Sequence, residues 1–208
     1  MAITLNDALA IISSFSTKYA EILSAGKYNS YANGPISEAL IKEVNKVLPP
    51  ELVEYIDLIC PQETLIVEGV GHPVELLKRT DLAWKPSLLS GLTGELAQWQ
   101  DDWLLIAHEG GDPIIVNTSE QGDQSTVYSA MQGMGVWDFA PIADSLGQFL
   151  VCIFAIQHGL NFPGLSEPLD EDFNLAPAAA NWLFPFLREY AGAYYEEWAS
   201  VFENYQMD

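Results

Sequence analysis

The chain has 208 residues, 49% of them hydrophobic and 12% aromatic, and its 29 acidic side chains against 8 lysines and arginines give a formal net charge of −21. That apolar content excludes a disordered chain, and a fold of this length buries roughly 70% of the surface its unfolded form exposes. The charge disfavours nucleic acid and anionic membranes as partners, because so negative a surface repels phosphates and acidic headgroups.

No linker of low-complexity Gly, Ser or Pro divides the chain, so residues 1–208 are expected to form one domain. No basic-then-apolar leader and no apolar run of 18 residues occurs, which argues for a cytoplasmic protein outside the membrane. Residues 1–60 read as helical. Thr4 opens the first helix, with Asp7 close to the capping-box position, and Leu5, Leu9, Ile12, Tyr19, Ile22 and Leu23 recur at helical spacing up to Gly26. Asn29 to Pro35 reads as a loop. Ser37 caps a second helix with Leu40, Ile41, Val44 and Leu48 as its stripe, and Pro49-Pro50 starts a third over Glu51 to Cys60.

Residues 64–140 read as sheet. Thr64 to Val70 is the first strand, residues 73 to 83 suit a short helix, and Trp84 to Gly94 is a loop region. Trp103 to Ala107 and Ile114 to Val116 are apolar runs suited to strands buried on both faces. Between them Gly110-Gly111 supplies the positive φ of a tight hairpin turn. A polar turn over Ser119 to Ser125 leads to Thr126-Val127-Tyr128, then a Gly133-Met134-Gly135 break, then Val136-Trp137. Pro141 marks the passage to a helix over about Ile142 to His158, with Leu146, Phe149, Leu150, Ile153, Phe154 and Gln157 on one side. Residues 141–208 form the helical C-terminal part, interrupted by an acidic loop over 160–177. Loops of that length are either functional or poorly ordered. Ala178 to Tyr205 closes the chain as helix broken near Pro185, and its aromatic stripe suits either the core or an exposed interface. The expected class is α+β, with a mainly antiparallel sheet of about four to six strands, N-terminal helices, one helix packed on the sheet and an aromatic-rich helical end.

The charge is uneven. Residues 1–85 hold 7 lysines and arginines against 11 acids, while residues 86–208 hold only Arg188 against 18. Such a surface attracts and steers a basic partner, although solubility or salt adaptation accounts for it equally well. Chemistry finds little purchase. His108-Glu109 with Asp112 lacks the helical His-Glu-x-x-His spacing, and His72 and His158 are remote in sequence, so no metal is expected. Gly110-Gly111-Asp112 stands without a phosphate-binding glycine loop or Walker lysine, and neither Gly-x-Ser-x-Gly nor a reactive-cysteine signature occurs. Cys60 and Cys152 sit in apolar helical patterns and read as buried, reduced thiols. The carboxylate pairs Asp101-Asp102 and Glu196-Glu197 point in different directions from adjacent positions and read as solvated faces.

The ordered series from 99 to 154 resembles the SUKH superfamily: Trp99, the strand Leu104-Leu105-Ile106-Ala107, Gly110-Gly111-Asp112, an aliphatic strand, Val127-Tyr128, Gly135-Val136-Trp137, then Ile142-Ala143-Asp144-Ser145-Leu146. Leu48-Pro49-Pro50-Glu51-Leu52 is similar to that family's "Leu-Pro, then short helix" opening, whereas the first 40 residues and the chain after Gly159 depart from it. The family groups yeast cell-wall-synthesis regulators with bacterial immunity proteins. The resemblance implies a non-enzymatic protein without cofactor that binds a protein partner, foremost a basic, nuclease-type toxin domain. A regulator or scaffold binding a host protein is the alternative, and an enzyme of unknown type comes third. Charge and expected exposure place the contact on Trp99, Asp101, Asp102, Glu109, Asp112, Asp123 and Asp138, with Glu167, Asp170, Glu171 and Asp172 of the acidic loop as a second candidate. For each acid a solvated carboxylate is the plain alternative.

Overall fold

Six antiparallel strands follow one another across a single sheet in chain order, each paired with its neighbour in sequence. A computed structural model describes residues 3–24, 47–84, 98–120 and 122–206. The expected loop over Asn29 to Pro35, the helix capped by Ser37 and nearly all of the loop Trp84 to Gly94 lie outside the described residues. The strands are β1 (Leu65–Val67), β2 (Val74–Leu76), β3 (Trp103–Glu109), β4 (Asp112–Asn117), β5 (Val127–Ser129) and β6 (Ala140–Ala143). The described helices are α1 (Leu5–Phe15), α2 (Thr17–Ser24), α3 (Pro50–Glu54), α4 (Leu146–Leu160), α5 (Pro177–Tyr190) and α6 (Tyr195–Ala199). The fold is therefore α+β with an antiparallel sheet. None of these helices is long and apolar enough to cross a membrane.

The hairpin forms as its residues dictate. β3 and β4 meet at Gly110 (φ 57°) and Gly111 (φ 105°), both in the left-handed region that a two-residue turn needs. Both strands are buried through their centres, from Leu104 to Ala107 and from Pro113 to Val116. A bulge between Leu105 and Ala107 resets the register, so Ala107 lies opposite Ile114 and Glu109 opposite Asp112.

α4 is the centre of the molecule. Ser145 caps it, with its Oγ accepting from Gln148 N at 3.0 Å while donating to the Ile3 carbonyl at 2.9 Å. From Leu146 to Gln157 every residue is buried, and all but Gln148 and Gln157 are apolar or glycine, as suits a helix flanked on every side. It packs against α1, α5 and sheet strands β1 and β6. Gly147 permits the crossing of the chain's first turn: a Cβ there would lie 2.4 Å from the Ile3 carbonyl oxygen. Glu51, only 7% exposed, seals the same place. Its carboxylate accepts backbone N–H bonds from Ser125 (2.7 Å), Leu146 (3.3 Å) and Gly147 (3.2 Å). Burial raises its pKa above the usual carboxylate range against the pull of those bonds.

Several expected elements differ. Residues 73–83 hold strand β2 and a 3-10 turn over Arg79–Asp81 rather than a short helix. Val74 and Leu76 alternate inward while the backbone completes the ladder between β1 and β3. The first helix stops at Ser16, whose extended backbone separates α1 from α2, although the Thr4–Asp7 capping box is present. Val136-Trp137 is not a strand; the sixth strand lies at Ala140–Ala143, and Pro141 sits within it. An edge strand tolerates a missing N–H. The terminal helix runs through Pro185, which is exposed, and ends instead before Gly192 (φ 57°). The acidic loop is pinned. Leu169 pairs with Leu175, and the Asn204 side chain clamps Leu175 through N–H and carbonyl bonds of 2.9 and 2.8 Å.

The aromatic end contributes mainly to packing. Phe184 and Phe202 are buried, and Trp182, Phe186 and Phe15 contact one another at 4.9–5.5 Å between centroids. Cys60 and Cys152 are both buried free thiols, and burial pushes the Cys60 thiol up to about 12.

Candidate functional site: an acid-rimmed cleft at one end of the sheet

The register of the sheet assembles the site. Val67 lies opposite Val74, Val74 opposite Glu109, Glu109 opposite Asp112; two residues further along β4 Ile114 lies opposite Ser129 and Ser129 opposite Ala140. Partners across a ladder share a face, so this row presents one set of side chains toward α4 at the hairpin end. Between that face and the helices α4 and α6 lies a cleft of about 300 Å³. Val70, Val74, Ile114, Ile142, Ile153 and Ile156 give it aliphatic walls. Trp198 closes one side, held by its indole N–H donating to the Ile142 carbonyl at 2.8 Å.

Five carboxylates ring this apolar pocket: Glu68, Glu109, Asp112, Asp138 and Glu197. Among the described residues no lysine, arginine or histidine lines it. Asp112 is anchored, its Oδ1 accepting from Gln132 N at 2.7 Å. Glu109 is half-buried, and desolvation by the cleft walls, with the Asp112 charge adding to it, lifts its pKa above the ordinary value despite the opposing influence of His72. Asp138 and Glu197 are exposed at the mouth. His72 packs over the turn, since a Cβ on Gly110 would meet its ring at 2.7 Å. On the strand positions next to this row, the imidazole of His108 lies 3.8 Å from the Glu75 carboxylate. No cluster of metal-ligating side chains occurs among the described residues.

Of the residues that sequence pointed to, Glu109, Asp112 and Asp138 converge on this cleft. The others do not. Asp101 and Asp102 precede β3 at the opposite end of the hairpin, where the Asp102 carbonyl accepts from Thr118 N at 2.8 Å. Asp123 belongs to that far end too, in an open depression with Glu51, Glu54, Glu120 and Asp144. There the acids are engaged within the fold: the hydroxyl of Tyr128 donates to Glu120, and that of Tyr194 donates to Asp144 at 2.7 Å. Glu167 and Asp170 line a separate shallow hollow, with Glu171 and Asp172 exposed beside it. Asp170 is a structural turn residue whose Oδ1 accepts from Asn174 N at 2.8 Å, a bond that lowers its pKa. Trp99 is interior, not exposed as its place in the sequence suggests. It is 6% exposed, packed edge-on against Trp103, Trp137 and Phe139, with its N–H donated to the Trp103 carbonyl at 3.2 Å. It supports the sheet and offers no surface anchor.

Glu68, Glu197 and Trp198 also line the cleft without being among the contact residues that charge and expected exposure suggest, Glu197 and Trp198 belonging instead to the aromatic stripe of the chain's end. Glu68 follows the last residue of β1, and Glu197-Trp198 lies in a terminal helix 129 residues later; only the tertiary fold joins them. Comparison of the chain with protein-family models, with curated proteins and with solved structures found no match.

Proposed function

We propose that this chain is a non-enzymatic, acidic binding protein that captures a basic protein domain at the hairpin end of its sheet, as an immunity protein of SUKH type captures a toxin. The acid-rimmed cleft is the observation that carries the reading: five carboxylates surround one apolar hollow on a chain of net charge −21. A domain that cleaves nucleic acid needs a basic surface to hold phosphates, and an acidic rim competes for that surface with the same charge. The cleft's aliphatic walls suit the stem of a cationic side chain better than a sugar or a peptide bond, which call for more hydrogen-bond donors. The two buried thiols accord with a cytoplasmic setting.

Affinity capture from the native cell's lysate at low and high salt, with mass spectrometry of what is bound, tests the reading. A basic domain recovered in near-stoichiometric amounts and depleted by salt is the expected result. The paired charge reversals Asp138→Lys and Glu197→Lys should then slow its association by roughly tenfold or more, since rim charges act mainly on the on-rate. A salt-insensitive neutral or acidic host protein would favour a regulator or scaffold instead. An on-rate untouched by both reversals would remove the cleft from the interface.

A further inference from the structure

Among the described residues eight large hydrophobic side chains are exposed, and two of them, Met131 (67% exposed) and Val201 (39%), line the cleft. The loop joining β5 to β6 touches the cleft at its two ends, Met131 and Asp138, while its middle turns to the Trp99 side, where the Gly135 carbonyl accepts from the Gln98 side chain at 3.0 Å and Trp137 packs on Trp99. Isolated exposed hydrophobics need no explanation, but those that line a concave, charged site mark a contact surface. Methionine suits such a surface because its unbranched, polarisable chain adapts to different apolar neighbours.

Resting on the function proposed above for the existence of a protein partner, we infer that the cleft is the anchor pocket for one lysine or arginine side chain of that partner, and that Met131 and Val201 at its edge receive the bulky apolar residues beside it. At about 300 Å³ the hollow lies at the lower end of ligand-site sizes. It admits one long side chain and excludes a helix. The aliphatic stem lies along Ile114 and Ile153, and the cationic head reaches Glu109 and Asp112, relieving the repulsion between those two carboxylates. A second copy of this chain is an unsuitable occupant, since two bodies of charge −21 repel, and an anionic membrane is repelled for the same reason. A free small amine would satisfy the acids but leave the exposed Met131 and Val201 without a role.

The test uses the isotopically labelled full-length chain and three probes followed by NMR: a short capped peptide with arginine between two leucines, the same peptide with glutamine for arginine, and n-butylguanidine. The arginine peptide should bind saturably, shifting Gly110, Ala130 and the Trp198 indole N–H. Its affinity should fall roughly threefold or more with glutamine in place of arginine, and likewise with Asp138→Asn in the protein. Met131→Ser, at a position 67% exposed on the edge of the cleft, should weaken the peptide and leave n-butylguanidine unchanged. Equal binding of the two peptides, or shifts confined to another surface, would overturn the inference. So would n-butylguanidine binding as tightly as the arginine peptide, which would make the cleft a small-cation site. A peptide seated in the cleft while no basic domain is captured would sink the immunity reading and spare the pocket. Capture of a basic domain with the cleft silent would do the reverse.

Discussion

Replacing Glu51 by alanine takes one acceptor away from three buried N–H donors at once. Ser125, Leu146 and Gly147 belong to the β4–β5 connection and the first turn of α4, so the carboxylate ties the far end of the sheet to the central helix. Each orphaned buried donor costs about 1–3 kcal/mol, and the three losses are not additive because water can reach part of the space left behind. A total of about 3–5 kcal/mol follows, in line with breaking a buried charged network, and large against the roughly 5–15 kcal/mol of a whole domain. Glu51→Gln should cost much less, about 1 kcal/mol, because one oxygen still accepts and a desolvated charge is removed. The two variants diverge with pH. Burial raises the folded-state pKa of Glu51 above its unfolded value, so its contribution to stability is fully present below the unfolded value and is lost as pH rises through the folded one. The wild type therefore loses ground to Glu51→Gln as pH rises. Urea unfolding followed by tryptophan fluorescence measures this. With a slope of about 2 kcal/mol/M, the alanine variant's midpoint should drop by about 2 M. An alanine penalty below 1 kcal/mol, or a glutamine penalty equal to it, would refute the reasoning.

Glu109→Gln should stabilise the protein at neutral pH by up to about 1 kcal/mol, because it removes a half-buried charge set against Asp112; the sign follows from the raised pKa, and the gain should vanish in acid as the wild-type carboxyl protonates. His158, held among Phe15, Trp182 and Phe162, has its pKa lowered by desolvation. Its contribution is thus present above the unfolded value of about 6.5 and lost as pH falls through the folded one, and thermal unfolding of the wild type and His158→Phe between pH 8 and 5 should show the wild type alone losing that increment. Neither Cys60 nor Cys152 should react with a disulfide reagent in the native state, and both should in urea; rapid native labelling of either would contradict its burial.

Local chemistry was legible where it closes on itself. Thr4 with Asp7, Gly110 with Gly111, and the two apolar runs each specify their conformation from neighbours a few residues away, and each stands where the sequence puts it. Val74-Glu75-Leu76 was misread because three residues carry no period of their own; they become a strand through β1 and β3 on either side. Pro185 failed as a breaker because it faces solvent, where water satisfies the carbonyl its ring leaves unbonded. For the candidate site, charge singled out three of the five acids that ring the cleft. Glu109, Asp112 and Asp138 share the cleft because they flank turns at one end of a meander, whereas Asp101 and Asp123 share only their charge. Nothing in local sequence distinguishes an acid at one end of a strand from one at the other, and nothing marks Trp99 as interior rather than exposed.

The seat of α1 has a temporal side. Its apolar face, Leu5, Ala8, Leu9 and Ile12, is covered by α4, and the bond from Ser145 to the Ile3 carbonyl spans 142 residues. At ribosomal speeds of roughly 5–20 residues per second, the partner surface emerges about 7–28 s after the helix itself. The strands between them can zip pairwise as they appear, each onto its predecessor. α1, made before the whole sheet and α4, is thus late to find its place, and for that interval its leucines and isoleucine lie open to any factor that holds nascent apolar chain.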